Sequence, residues 1–188
     1  EIATGKPHTF TNEECRYGYR DSIFKNELRG RYVVTSVVYR LQKHPVLHLD
    51  YGNLRALNPQ SLREVRDAVI RIRRQKLPEV DELGSAGSFF KNPVIPVSQF
   101  EALQSQYPAI PHYETKDGVK IPAAWLIEQS GCKGRTLGGA QVFERQPLVI
   151  INATGTATPD DVIALARSVT DAVRSRFSIT LSPEVNYI

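Results

Sequence analysis

The chain has 188 residues, contains no methionine and begins at Glu1. We read a sequence without an initiator as lacking the start of its open reading frame, so that part of the protein lies outside it. Cysteine is scarce: Cys15 and Cys132 set no disulfide framework, a usage that fits a reducing compartment. Long apolar runs are also missing. The richest, Val33–Val34 with Val37–Val38 and Leu148–Ile151, fall far short of the ~20 residues that span a bilayer. No secretory signal opens the chain. GxGxxG and Walker A patterns are absent, so no glycine-rich loop marks a nucleotide fold. Neither HExxH nor CxxC occurs, and Pro45 disfavours the helix that would align His44 and His48 as ligands, so no metal is assigned.

Hydrophobic residues make up 41% of the chain and charged residues 23%, enough of both to bury a core and stay hydrated. Lysine and arginine number 24 against 20 acidic residues. Six basic and two acidic side chains fall between Arg63 and Lys76, so this segment carries the whole net charge of +4. Elsewhere charge is balanced and no aromatic-interleaved basic stripe occurs, which argues against a general nucleic-acid binder. A small phosphorylated ligand near Arg63–Lys76 is the expectation instead.

The patterning mixes strands and helices without regular βα alternation, which predicts an α+β fold. Residues 31–41, rich in β-branched side chains, read as a strand. Ser61 and Glu64 form a capping-box pattern ahead of Leu62, Val65, Val69 and Ile72, so a helix is expected over residues 62–75. Ser98 with Glu101 predicts a second helix start, and Pro122 is placed as the first residue of a third. Thr158, Pro159, Asp160 and Asp161 open the longest helix, with Val162, Leu165, Val169, Val173 and Phe177 as its buried stripe. Strands are expected at residues 140–143 and 148–152, with short β-like pieces at 178–181 and 185–188. Composition changes after Lys76, where a boundary between residues 1–77 and 78–188 is placed.

Three segments could carry chemistry. In Gly84–Pro93 the glycines allow close backbone approach to a ligand, and Ser88, Lys91 and Asn92 supply polar groups. The same residues equally suit a turn between modules anchored by Phe89 and Phe90. The surroundings of Ser88 are not GxSxG and no triad spacing accompanies it, which gives an acyl nucleophile little support. In Arg16–Asp21, Arg20 offers a planar donor fork for a carboxylate or enolate, or a structural partner for Asp21. Glu184 is either a solvated charge or, where desolvated, a proton donor.

Together, RYGYRDSIFK from Arg16, Tyr51-Gly52, KLP from Lys76, AGSFFKNP from Ala86, GGAQV from Gly138 and the terminal LSPEV carry a resemblance. The sequence resembles the UDP-N-acetylenolpyruvoylglucosamine reductase (MurB) family, in its type I form, from about Thr11 to Ile188. The resemblance implies a flavoenzyme of peptidoglycan precursor synthesis in the bacterial cytoplasm, a monomer using FAD and NADPH. Residues 1–77 would be the C-terminal part of a FAD-binding domain, and residues 78–188 a substrate-binding domain with a terminal catalytic segment. Most of the flavin-holding region would lie outside the chain, leaving this piece inactive alone.

By motif match, Ser88 would protonate the substrate carbon, while Arg20 and Glu184 would stabilise the enolic intermediate, Arg20 also lying at the cofactor. Tyr51 would close over the UDP diphosphate, and Lys76, Asn92, Gln146 and Arg73 would contact UDP-N-acetylglucosamine enolpyruvate. Asn186 departs from the family, whose members commonly carry Arg there. The alternative from another class is a non-catalytic nucleotide-sugar-binding module. Neither reading involves nucleic acid or a membrane.

Overall fold

A computed structural model describes residues 1–50, 53–79 and 81–187 and has the expected α+β class. The chain packs into two units, Glu1–Val46 and Leu47–Ile188.

In the first unit, helix α1 (Asn12–Cys15) opens on a capping box. Thr11 Oγ1 accepts the Glu14 N–H, and the Glu14 carboxylate accepts the Thr11 N–H at 2.7 Å. A single 3-10 turn follows at Ile23–Lys25. Phe10 stands 5.1 Å, edge-on, from each of Phe24 and Tyr32, and this aromatic group, with buried Cys15, is most of what the unit packs. The strand expected over residues 31–41 does not form. A β-branched run becomes a strand when a neighbour satisfies its backbone, and no described residue offers this one a ladder.

The second unit begins with α2 (Leu54–Leu57) and α3 (Leu62–Lys76). Ser61 caps α3 as expected, its Oγ accepting the Glu64 N–H at 3.2 Å. Leu54, Ala68 and Ile72 form a small core, and the basic side chains occupy the exposed faces and last turn. There follow β1 (Ser85–Ser88), β2 (Val94–Ile95), α4 (Val97–Gln106), β3 (Tyr113–Thr115) and β4 (Gly118–Lys120). The chain continues with α5 (Ala123–Gln129), β5 (Thr136–Leu137), β6 (Ala140–Val142), β7 (Val149–Asn152) and α6 (Pro159–Phe177).

Two antiparallel sheets result, ordered β1-β7-β6-β5 and β2-β4-β3. Helix α6 covers one face of the first sheet, where Leu165, Val169 and Val173 pack with Ala140, Val142 and Ile150. Burying a side chain of this size contributes roughly 1.5–3 kcal/mol. The opposite face presents Phe143, Val149 and Ile151, with Leu77 and Leu83 packed on them.

Some boundaries differ from the sequence reading. Helix α4 starts at Val97 behind Pro96, leaving Ser98 inside the first turn, where its hydroxyl caps nothing. Pro122 precedes α5 instead of opening it, because the cap comes from another segment, described below. Neither terminal β-like piece, 178–181 or 185–188, forms a strand among the described residues; the pairing found is a bridge between Phe90 and Pro183, which lies between them. No helix among the described residues is long and apolar enough to cross a membrane.

Candidate functional site

Ser88 ends β1, directly after Gly87, whose φ of +74° is costly for other residues and whose missing side chain leaves open space. The ladder with β7 shifts register between Ser85 and Ser88. Irregularities of this kind re-aim a side chain. Here it leaves Ser88 exposed opposite Val149, while the next two residues, Phe89 and Phe90, are buried as anchors. Residues 85–88 therefore form a strand and not the turn between modules that the sequence also allowed: Phe89 and Phe90 anchor its end, and its irregular register presents a hydroxyl.

The C-terminal segment docks against these anchors through its backbone. Lys91 N–H donates to the Ser182 carbonyl at 2.9 Å, and Glu184 N–H donates to the Phe89 carbonyl at 2.8 Å. Half-buried Glu184 is thereby fixed one residue along from Ser88. Gln146, in the β6–β7 turn, joins the same end of the sheet. Its carbonyl accepts the Val149 N–H at 2.9 Å, and Phe89 N–H donates to neighbouring Leu148 at 2.7 Å. Three residues far apart in sequence are thus gathered by main-chain hydrogen bonds.

Asn92 follows the same segment, and its Oδ1 accepts the Ala123 N–H at 2.9 Å, capping α5 across the fold. With the carbonyl so committed, the amide NH₂ is what the side chain has to donate. Lys76 and Arg73 are exposed in the last turn of α3. Leu77, the next residue, packs on the sheet face that also carries Phe143 and Val149, so Lys76 approaches that face while Arg73 lies a turn earlier. Arg20 belongs to the Glu1–Val46 unit, where it has φ +54° and its guanidinium stands 6.0 Å from the centre of the Tyr19 ring. Tyr51 lies outside the described residues.

The glycine pair of GGAQV has a structural explanation. A side chain on Gly139 would stand 2.6 Å from the Ala157 Cα, and one on Gly138 2.0 Å from Asp161 Oδ1. Asp161 ties this hairpin to the start of α6, accepting the Thr158 N–H at 2.9 Å and the Gly139 N–H at 3.4 Å. The Thr158 N–H, and then that of Gly139, hold its carboxyl below the usual aspartate range. Burial pushes the Cys132 thiol up, which leaves it a core residue and not a nucleophile.

The ladder also shows which residues share a face with Ser88. Ser88 pairs with Val149, and the β6–β7 register continues from Val149 to Phe143. Facing partners in a ladder project to the same side, so all three lie opposite α6. That face has an open concavity of about 440 Å³ bordered by Leu83, Gln141, Phe143, Arg145 and Ile151. Gln141 belongs to GGAQV but has no site role in the sequence, and Arg145 belongs to no motif. The two-residue alternation from Gln141 to Phe143 was the available signal for the first, whereas no motif marks the second. No group of three potential metal-binding side chains occurs among the described residues.

Residues 78–188 match the family model for UDP-N-acetylenolpyruvoylglucosamine reductase, C-terminal domain. A UDP-N-acetylenolpyruvoylglucosamine reductase from Burkholderia ambifaria is 48% identical over 193 residues, covering 98% of this chain and 55% of that protein. One from Porphyromonas gingivalis is 47% identical over 191 residues, covering 98% and 56%. The chain thus spans about half the length of these relatives. A crystal structure of UDP-N-acetylenolpyruvylglucosamine reductase (MurB) from Thermus caldophilus matches at 26% identity and a TM-score of 0.41, covering 66% of this chain and 33% of that one.

Proposed function

The chain belongs to the UDP-N-acetylenolpyruvoylglucosamine reductase family, and from that premise we propose that the full-length protein reduces UDP-N-acetylglucosamine enolpyruvate to UDP-N-acetylmuramate. NADPH is the electron source and FAD the resident cofactor. When bound, the flavin supplies a hydride, taken from NADPH, to the enolpyruvyl β-carbon. The open space at Gly87 beside the exposed Ser88 suits the close approach of a flat ring. Residues 1–77 are read as the end of the FAD-binding domain and residues 78–188 as the substrate domain. The reaction belongs to peptidoglycan precursor synthesis in the bacterial cytoplasm, a setting supported by two free, buried cysteines.

Ser88 donates the proton that completes the substrate α-carbon. Arg20 and Glu184 stabilise the enolic intermediate that precedes this protonation, Arg20 by its charge at the cofactor side. Preorganised groups of this kind are each worth a few kcal/mol. Lys76, Asn92, Gln146, Arg73 and Tyr51 hold the nucleotide and sugar, with the Asn92 NH₂ as donor. One observation supports the reading: the Glu184 N–H bonds to the Phe89 carbonyl, which brings the backbone of the terminal segment beside the end of β1 that carries Ser88.

The full-length protein should purify yellow and oxidise NADPH when given the enolpyruvyl substrate. A colourless protein with no such turnover would leave the nucleotide-sugar-binding module as the better reading. Ser88→Ala should slow flavin reoxidation by substrate about 10²- to 10⁴-fold. Flavin reduction by NADPH should change little in that variant. Equal loss in both half-reactions would remove Ser88 from the proton-donor role.

A further inference from the structure

Arg145 lies in the β6–β7 turn next to Gln146, and its guanidinium carbon stands 5.0 Å from the centre of the Phe143 ring. Phe143 is itself 7% exposed and held in the cluster with Val149 and Ile151. The ring is therefore a fixed platform, and a guanidinium stacked on it is preorganised at less conformational cost than a free one. Register places Phe143, Val149 and Ser88 on successive strands of the face opposite α6, which puts Phe143 and Ser88 about 10 Å apart at ordinary strand spacing.

Arg145 remains solvent-exposed at the edge of the 440 Å³ concavity on this face. The adjacent acidic residue, Glu144, is exposed and borders the same concavity, with its carboxylate reaching the Gly134 backbone. A side chain built on Gly134 would meet the Glu144 Oε1 at 3.2 Å. Among the described residues no carboxylate pairs with Arg145. A charge held in position, open to solvent and without a protein counter-ion is arranged for an oxyanion brought by a ligand.

We propose that Arg145 is a further substrate-binding residue, its guanidinium on the Phe143 ring receiving an oxyanion of the molecule whose reacting carbon lies at Ser88. The inference rests on the reductase reading above and adds a contact to it. The oxyanion is one of two on the same substrate, the diphosphate or the enolpyruvyl carboxylate.

Steady-state kinetics of the full-length, FAD-loaded protein test it. Arg145→Ala should raise KM for the enolpyruvyl substrate about 10- to 100-fold, the loss expected for a hydrogen bond between charged partners, with kcat within about two-fold. Arg145→Lys should recover part of the loss, since it keeps the charge without the planar fork. UDP-N-acetylglucosamine, which carries the diphosphate but no carboxylate, separates the two sources when used as a competitive inhibitor. Weaker inhibition of Arg145→Ala than of the wild type assigns the diphosphate, and unchanged inhibition together with a raised KM assigns the carboxylate. An unchanged KM in Arg145→Ala, or a fall in kcat that Arg145→Lys does not relieve, overturns the inference while an active wild type leaves the reductase reading standing. A wild type that does not turn over the substrate overturns that reading itself.

Discussion

The two units use the same kinds of apolar side chain to opposite ends. In Leu47–Ile188, Leu126, Val142, Val149, Leu165 and Val169 are all 0% exposed, because the two sheets with helices α4, α5 and α6 close over them. In Glu1–Val46, Val33, Val34, Val37, Val38 and Leu41 are between 54% and 96% exposed, and the unit packs little beyond Cys15 and an aromatic group. Residues 140–142 and 149–152 resemble residues 31–41 in β-branched content, but they hydrogen-bond to each other across a tight turn. The difference teaches that β propensity selects a segment able to form a strand, while a partner within reach decides whether it does.

The contrast is broken most directly from the buried side. Leu126→Ala removes three carbons from the fully buried face of α5, where the rigid surroundings leave a cavity. It should cost about 2–5 kcal/mol, seen as a lower urea midpoint at unchanged slope. A loss below about 1 kcal/mol would mean that this core is as loosely closed as the first unit.

The same contrast explains how much was legible in the sequence. Helices α3 and α6 could be read because each has a cap residue, an acidic first turn and an apolar stripe within one continuous stretch, all local signals. Strands β1 to β4 could not, since strands of two to four residues carry little periodicity and exist through pairings elsewhere in the chain. The end of the chain was legible as a motif but not as a neighbour of Ser88, because its docking uses backbone groups, which leave no trace in residue identity. Asn92 illustrates the same limit: the sequence places an amide after a glycine-rich segment, and only the fold shows its carbonyl bonded to Ala123. Arg145 had no signal of its own, since only the Phe143 ring beneath it gives its position meaning.

A smaller effect is expected where the well-packed unit depends on one cap. Thr158 Oγ1 accepts the Asp161 N–H at 3.2 Å, and Thr158→Ala should cost about 1 kcal/mol of stability at neutral pH. The partner of this cap adds a pH dependence of known sign. Because the folded Asp161 carboxyl titrates below its ordinary value, its contribution is full above the unfolded aspartate value of about 3.9 and is lost as pH falls through the folded one. Asp161→Asn should therefore flatten the acid limb of stability, measured by urea unfolding between neutral and acid pH. A mutant with the wild-type acid limb would show that the hairpin-to-helix tie carries no charge dependence.

The smallest change tests the exposed side of the comparison. Val38 is 96% exposed in a segment without a ladder, so Val38→Thr replaces a methyl that already faces water with a hydroxyl of nearly the same shape. Its expected effect on the stability of this 188-residue chain is within about 0.5 kcal/mol, with no change in urea slope. The substitution is informative because it changes apolar character while keeping the β-branch, and with it the strand propensity. If Val38→Thr instead cost more than about 1 kcal/mol, the side chain would have to be buried in the folded chain in solution. The residue 31–41 run would then have a partner there, and the line between the two units would be one of degree.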